Sequence, residues 1–122
     1  MPYHITTEAN LLRIEFFDEF SPRDLKTLAD TLQEIDQRLA VTPVRLADLR
    51  NVSGQKLTFA DMYTFVKRRQ LQVFNNPVKT ALVATHPASK GFARMFQTLN
   101  DHPQVEVQIF STMEAAEEWL AS

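Results

Sequence analysis

Residues 80–99 read TALVATHPASKGFARMFQTL and hold, in one stretch, a strand, a short connection and a helix. The apolar run at 81–84 has no polar interruption, which is typical of a central strand covered on both faces. His86 and Pro87 follow in the connection, and a helix is predicted from about Ala88 to Leu99. A buried strand that leads directly into a helix favours a parallel sheet with helical cover.

The same alternation continues downstream of this stretch. Residues 100–103 form a turn cluster, after which Val105, Val107 and Ile109 alternate with polar residues, as in an edge strand. A last helix is predicted over 112–120, with its apolar side chains directed inward. These side chains are Met113, Ala116 and Leu120.

Upstream, residues 44–49 predict another strand, and Thr58 is placed to cap a long helix that ends at 75–77, Asn-Asn-Pro. The helix is predicted to turn its large apolar side chains toward the sheet. The predicted inward positions are Phe59, Met62, Tyr63, Val66 and Val73.

The first third of the chain predicts an antiparallel hairpin, from strands at 3–6 and 11–17, followed by a helix. Ser21 and Pro22 supply an N-cap and a first helical residue. The apolar stripe of this helix is Leu25, Leu28, Leu32, Ile35 and Leu39. The predicted order β-β-α-β-α-β-α-β-α gives an α/β fold, with a mixed sheet and a single domain over 1–122.

Composition narrows the classes of function. The 122 residues include 13 basic and 15 acidic side chains, which gives a formal net charge of -2. The chain therefore has no large positive field to hold a nucleic-acid backbone, and nucleic acid is not a predicted partner. No cysteine is present, so disulfides and thiolate metal sites are excluded, and a cytoplasmic location is favoured.

The start of the sequence lacks the basic and apolar regions of a signal peptide, and no apolar run is long enough for an integral membrane segment. No cofactor is predicted.

Three segments carry a resemblance to a known family. They are VRLADLRNVSG at 44–54, ALVATHPASKGFARMF at 81–96 and VEVQIFSTMEAAEEWL at 105–120. Together with the element order, they resemble the SpoIIAA-like branch of the STAS superfamily across nearly the whole chain. The resemblance implies a SpoIIAA-like mixed sheet, in which the N-terminal hairpin is followed by β-α-β-α-β-α crossovers.

The resemblance also implies a choice of activities. Anti-sigma antagonists of the family carry an Asp-Ser-Ser-Gly type motif whose serine is phosphorylated, whereas this chain has Gln55-Lys56-Leu57-Thr58 there. Only Thr58 offers a hydroxyl, without the acidic neighbour, so the family's phosphoserine switch is not predicted. Other relatives resemble lipid-binding SEC14 domains, which keep apolar cavities under a movable helix.

One candidate ligand site lies where the carboxyl ends of the strands meet, the usual binding edge of α/β folds. Asp48 ends one predicted strand, while His86 and Ser89 follow the next. Lys90 and Arg94, one helical turn apart, offer cations for an anion at the helix start. The alternative is an ordinary capped connection with solvated cations.

Catalysis and metal binding are not predicted. Asp48 and His86 could pair as an acid/base couple, but catalysis would also need a nucleophile or a substrate-orienting group. The candidates for that group, Ser53, Thr58 and Ser89, have no motif around them. His4 and His102 lack the paired spacing of a metal site.

A candidate partner face lies on the helix that Thr58 caps. A helical projection places Phe65 outside the inward stripe, next to the cationic run that includes Arg68. The alternative is that neighbouring segments cover Phe65.

The first hypothesis for the function is a non-enzymatic STAS-like interaction or regulatory module that binds a protein partner or self-associates through 53–74. The second is a carrier of a small apolar or anionic ligand, which a continuous internal cavity would favour.

Overall fold

The computed structural model describes residues 2–55 and 57–122 and confirms the predicted order of elements. These are β1 (Tyr3–Glu8), β2 (Leu11–Phe20), α1 (Pro22–Arg38), β3 (Val44–Gln55), α2 (Phe59–Gln70), β4 (Val78–Val83), α3 (Pro87–Leu99), β5 (Val105–Phe110) and α4 (Met113–Ala121). Within the described ranges, no helix is both long and apolar enough to span a bilayer.

The strands form one sheet in the order β1-β2-β3-β4-β5. β1 and β2 pair antiparallel, with Tyr3 opposite Phe16, and every later pairing is parallel. Each parallel pair is joined by a crossover helix, and β4 lies between two neighbours as its uninterrupted apolar run predicts. The mixed sheet with an N-terminal hairpin is therefore confirmed.

β2 and β3 extend past their predicted ends at residues 17 and 49 because they pair with each other along nearly their whole length. The pairing is irregular between Glu15 and Phe17 and between Asp18 and Glu19. Asp18 has a φ of 61°, a left-handed conformation that aspartate tolerates better than most residues. These irregularities let two long strands remain paired while the sheet twists.

The predicted helix starts are confirmed by side-chain caps. The Ser21 and Thr58 hydroxyls each accept a hydrogen bond from the backbone N–H three residues on, at 3.2 Å. Asp24 and Asp61 complete each cap by accepting from the backbone N–H of the capping residue. Both helices therefore begin with their terminal N–H groups satisfied.

The two faces of the sheet are covered unequally. α1, α2 and α3 pack on the face that carries Leu12, Ile14, Ala47 and Leu82. α4 packs alone on the opposite face. The smaller core on that face consists of Leu46, Ala81, Val83 and Ala116, with Leu11, Phe110, Met113, Trp119 and Leu120 packed around it.

The predicted inward faces of two helices need correction. On α2, Met62 and Val66 are buried, but Phe59 and Tyr63 are 61% and 46% exposed. Val73 lies beyond the end of α2, and Leu39 lies beyond the end of α1; both are exposed. The true inward stripe of α2 is 62-65-66-69, rotated by roughly 50° from the prediction at 100° per residue.

Candidate functional site

A cavity of about 80 Å³ lies between the sheet and the three helices α1, α2 and α3. Its floor is formed by β2, β3 and β4, and its roof by the inward stripe of α2. Most of its lining is apolar, so it offers a dry space rather than a hydrated one. The apolar lining includes Ile14, Phe16, Leu25, Leu28, Leu32, Ala47, Met62, Phe65, Val66, Leu82, Phe92 and Phe96.

One end of this cavity carries buried charge. Arg45, on β3, donates a hydrogen bond from Nη2 to the carboxylate of Asp36 on α1. Arg69, on the last turn of α2, places its Nη2 3.6 Å from Oδ2 of the same carboxylate. Both arginines line the cavity, whereas Asp36 is not among the residues that line it.

The charges at this end do not balance. Two guanidinium groups share the single Asp36 carboxylate, and burial together with the nearby charge of Arg45 lowers the pKa of Arg69 to about 10. Among the described residues, the buried Nη1 of Arg69 and Oδ2 of Asp36 have no hydrogen-bond partner. A buried donor without a partner costs free energy, so Arg69 is the group here most in need of an acceptor.

Phe74 forms an aromatic platform beneath both arginines. The guanidinium carbons of Arg45 and Arg69 lie 5.5 and 5.6 Å from its ring centroid. The His102 ring lies 5.1 Å from it on the turn before β5. Contact with an aromatic face stabilises a guanidinium that has lost its water.

The platform is held by hydrogen bonds between two loops. Gln104 accepts from the backbone N–H of Phe74 at 2.9 Å and donates to its carbonyl oxygen at 2.8 Å. Nδ1 of His102 accepts from the backbone N–H of Gln104, so Nε2 carries the proton that is donated to the Gln72 carbonyl at 2.7 Å. These loops precede β4 and β5, which places the charged end of the cavity at the amino edge of the parallel strands.

The ligand residues predicted from the sequence lie elsewhere, at the carboxyl edge. Asp48 is buried on the α4 face and accepts two hydrogen bonds of 2.9 Å from the Arg50 guanidinium. Burial raises the pKa of the Asp48 carboxyl, but the hydrogen bonds and charge of Arg50 outweigh it and hold the pKa below its usual range. Nε2 of His86 lies 3.1 Å from the Arg50 carbonyl oxygen. Arg50 thus stands between the two proposed members of an acid/base couple.

The remaining predicted ligand residues do not form a common site. The fully buried Ser89 hydroxyl accepts from the backbone N–H groups of Thr85 and His86 and donates to the His86 carbonyl, which closes the start of α3. Lys90 and Arg94 are exposed. The structure does not gather these side chains around a cavity.

The predicted partner face also differs from expectation. Phe65 is half-buried, packs against Phe96 with ring centroids 6.2 Å apart and lines the cavity, so its placement outside the inward stripe was wrong. Arg68 binds Asp30 and Gln33 of α1 at 2.6 and 2.9 Å. Thr58 is exposed and its hydroxyl caps α2. The aromatic residues of α2 that are exposed are instead Phe59 and Tyr63, whose stacked rings have centroids 6.4 Å apart.

The charged cluster of Asp36, Arg45 and Arg69 was missed in the sequence, although each member leaves a signal. Arg45 occupies an inward position of β3, in step with Ala47 and Leu49. Asp36 follows Leu32 by four residues on the buried stripe of α1, and Arg69 follows Val66 by three. Opposite charges at inward positions of different elements indicate a buried ion pair.

Comparison with known proteins agrees with the fold. No family model and no curated protein matches the chain. Among solved structures, it is similar to an uncharacterised protein of the DUF3478 family from Shewanella loihica PV-4, described as having a SpoIIAA-like fold. The two share 15% sequence identity over 97% of this chain and 91% of the other, with a TM-score of 0.63. The chain therefore has a SpoIIAA-like fold.

Proposed function

We propose that this protein is a non-enzymatic binding protein for a small, largely apolar ligand held between the sheet and α2. The observation that carries the proposal is the largely apolar cavity of about 80 Å³ with arginine side chains at one end. An apolar pocket with a small number of convergent polar groups is typical of a small-molecule site. The polar residues in the lining are Arg45, Arg69, Gln70, Thr80, Asn100 and His102.

The volume limits the ligand. An engineered apolar cavity of about 150 Å³ holds benzene, so roughly half that volume accommodates an apolar group of about three heavy atoms without rearrangement. A longer ligand requires α2 to move away from the sheet. The inward side chains that would move are Met62, Phe65, Val66 and Arg69.

Xenon tests the cavity directly because it enters dry apolar spaces without needing a polar contact. Amide spectra of the ¹⁵N-labelled protein under xenon pressure should shift at residues around Ala47, Met62 and Leu82. Ala47→Val, which fills part of the cavity, should reduce these shifts. The matched control is Ala81→Val on the α4 face, where the shifts should persist. Absence of xenon-induced shifts in the wild type, or equal shifts in wild type and Ala47→Val, would contradict the proposal.

A second function, a protein-interaction or regulatory module, is supported by the outer surface of α2. Phe59 and Tyr63 stack there, and the Lys67 ammonium lies 5.4 Å from the Tyr63 ring centroid. Leu71 and Val73, just beyond the end of α2, are also exposed, at 85% and 89%. Exposed aromatic side chains beside a cation are typical of interface anchors.

A further inference from the structure

We propose that the ligand is a short-chain monocarboxylate, with its hydrocarbon tail in the cavity and its carboxylate paired with Nη1 of Arg69. This inference rests on the proposed binding function and names the chemical class of the ligand. Two observations support it, the unequal number of buried charges and the unpartnered guanidinium nitrogen.

The first observation is the surplus of one positive charge. Asp36 is the carboxylate that pairs with both Arg45 and Arg69, and it is bonded more closely to Arg45. A buried charge without a close counterion is costly, and proteins usually pair it or hydrogen-bond it fully. One added monoanion would make the cluster neutral.

The second observation is the unpartnered donor of Arg69. Nη2 of Arg69 faces Asp36, whereas the buried Nη1 has no hydrogen-bond partner among the described residues. Arg69 also lines the cavity, so a ligand in the apolar space meets this guanidinium at its end. Guanidinium groups bind carboxylates with strong, charge-assisted hydrogen bonds.

Charge and volume together favour a carboxylate over a phosphate. A phosphate dianion would bring a second negative charge that only one surplus cation faces, close to the Asp36 carboxylate. The cavity of about 80 Å³ also leaves room for a short tail rather than a large headgroup. A carboxylate with a tail of about three carbons satisfies both limits.

The test compares butyrate with butyramide, which has nearly the same shape but no charge. Dissociation constants are measured by NMR titration of the wild type, Arg69→Met and the control Arg94→Met, which removes an exposed arginine of α3. Wild type and Arg94→Met should bind butyrate at least about tenfold more tightly than butyramide. Arg69→Met should lose that preference and keep its affinity for butyramide.

The outcomes separate the two proposals. Equal binding of butyrate and butyramide by the wild type, at residues of the cavity, would overturn the carboxylate inference and leave apolar binding intact. Binding of neither compound, together with no response to xenon, would overturn both. Arg69→Met should remain folded because the Asp36–Arg45 pair is retained. If it unfolds, the wild-type ratio of the two affinities still decides.

Discussion

Asp36 and Arg45 form an ion pair in which the two side chains expose only 6% and 5% of their surface. The pair joins α1 to β3 at the amino edge of the sheet, where Arg69 of α2 also approaches. Removing one member of such a pair leaves an uncompensated buried charge, which is far more costly than losing a surface pair. The cluster therefore couples the stability of the fold to the electrostatics of the cavity.

Asp36→Asn should lower the free energy of unfolding by about 3–5 kcal/mol, because it leaves two buried guanidinium groups without a carboxylate. Urea denaturation followed by circular dichroism measures the change. Glu34→Gln is the control, since it lies two residues away in the exposed pair with Arg38 and should cost no more than about 0.5 kcal/mol. Equal effects of the two substitutions would show that the buried pair is energetically unimportant.

Two alanines on neighbouring strands test whether the cavity is empty space. Ala47 faces the cavity, whereas Ala81 is fully buried in the packed core beneath α4. Ala81→Val should therefore cost roughly 1–3 kcal/mol through overpacking, while Ala47→Val should change stability by less than about 1 kcal/mol. Thermal and urea unfolding of both variants provide the measurement. A larger loss for Ala47→Val would mean that no space is available there.

Asp48 predicts a dependence of stability on pH. Its pKa is lowered in the folded protein, so its pairing with Arg50 stabilises the fold above the unfolded pKa of about 3.9 and is lost as the pH falls through the lower folded value. Asp48→Asn should cost about 1 kcal/mol at pH 7, a modest figure because the Arg50 side chain is 44% exposed.

Unfolding curves of wild type and Asp48→Asn between pH 2 and pH 7, a range chosen around the ordinary aspartate pKa of about 3.9, give the measurement. The difference in stability should be constant above about pH 5 and shrink in acid. Asp101→Asn, at an exposed position, should show no comparable difference. A gap that widens in acid would have the wrong sign for this ion pair.

Phe59 and Phe65 lie on the same helix but should respond differently to serine. Phe65→Ser should destabilise the domain by at least about 2 kcal/mol, since the ring packs against Phe96. Phe59→Ser should change stability by about 0.5 kcal/mol or less because the side chain is 61% exposed. The two free energies of unfolding decide between these placements.

If the outer surface of α2 is an interface, Phe59→Ser with Tyr63→Ser should weaken self-association or capture of a partner while the monomer stays folded. Sedimentation velocity over a range of protein concentrations measures the self-association. Lys26→Ser, on the exposed side of α1, is the control. Unchanged association in the double variant would remove this surface as the contact face.

The element order and the helix starts could be predicted because they depend on local signals. Ser21 and Thr58 cap their helices as their position before an apolar run indicates, and the turn cluster before Val105 ends the preceding helix. The rotation of α2 could not be predicted in the same way. It depends on which side chains fit beneath it, and a half-buried Phe65 with an exposed Phe59 is a result of tertiary packing.

The site was harder to predict than the fold. Ligands of α/β folds usually bind at the carboxyl edge of the sheet, which is why the sequence predicts a site there. The role of its residues as ligand residues stays a prediction; they are Asp48, His86, Ser89, Lys90 and Arg94. The arginines of the cavity come from β3 and α2, and their carboxylate comes from α1. Their juxtaposition requires the crossovers to be in place, which a single sequence does not specify.

Strand order along the sheet follows strand order along the chain. Each new strand pairs with the one made just before it, so no strand has to insert between two that are already joined. The sheet therefore grows by one edge at a time, in the direction of synthesis on the ribosome. Such nearest-neighbour pairing keeps sequence separation low, which favours rapid folding for a largely parallel sheet.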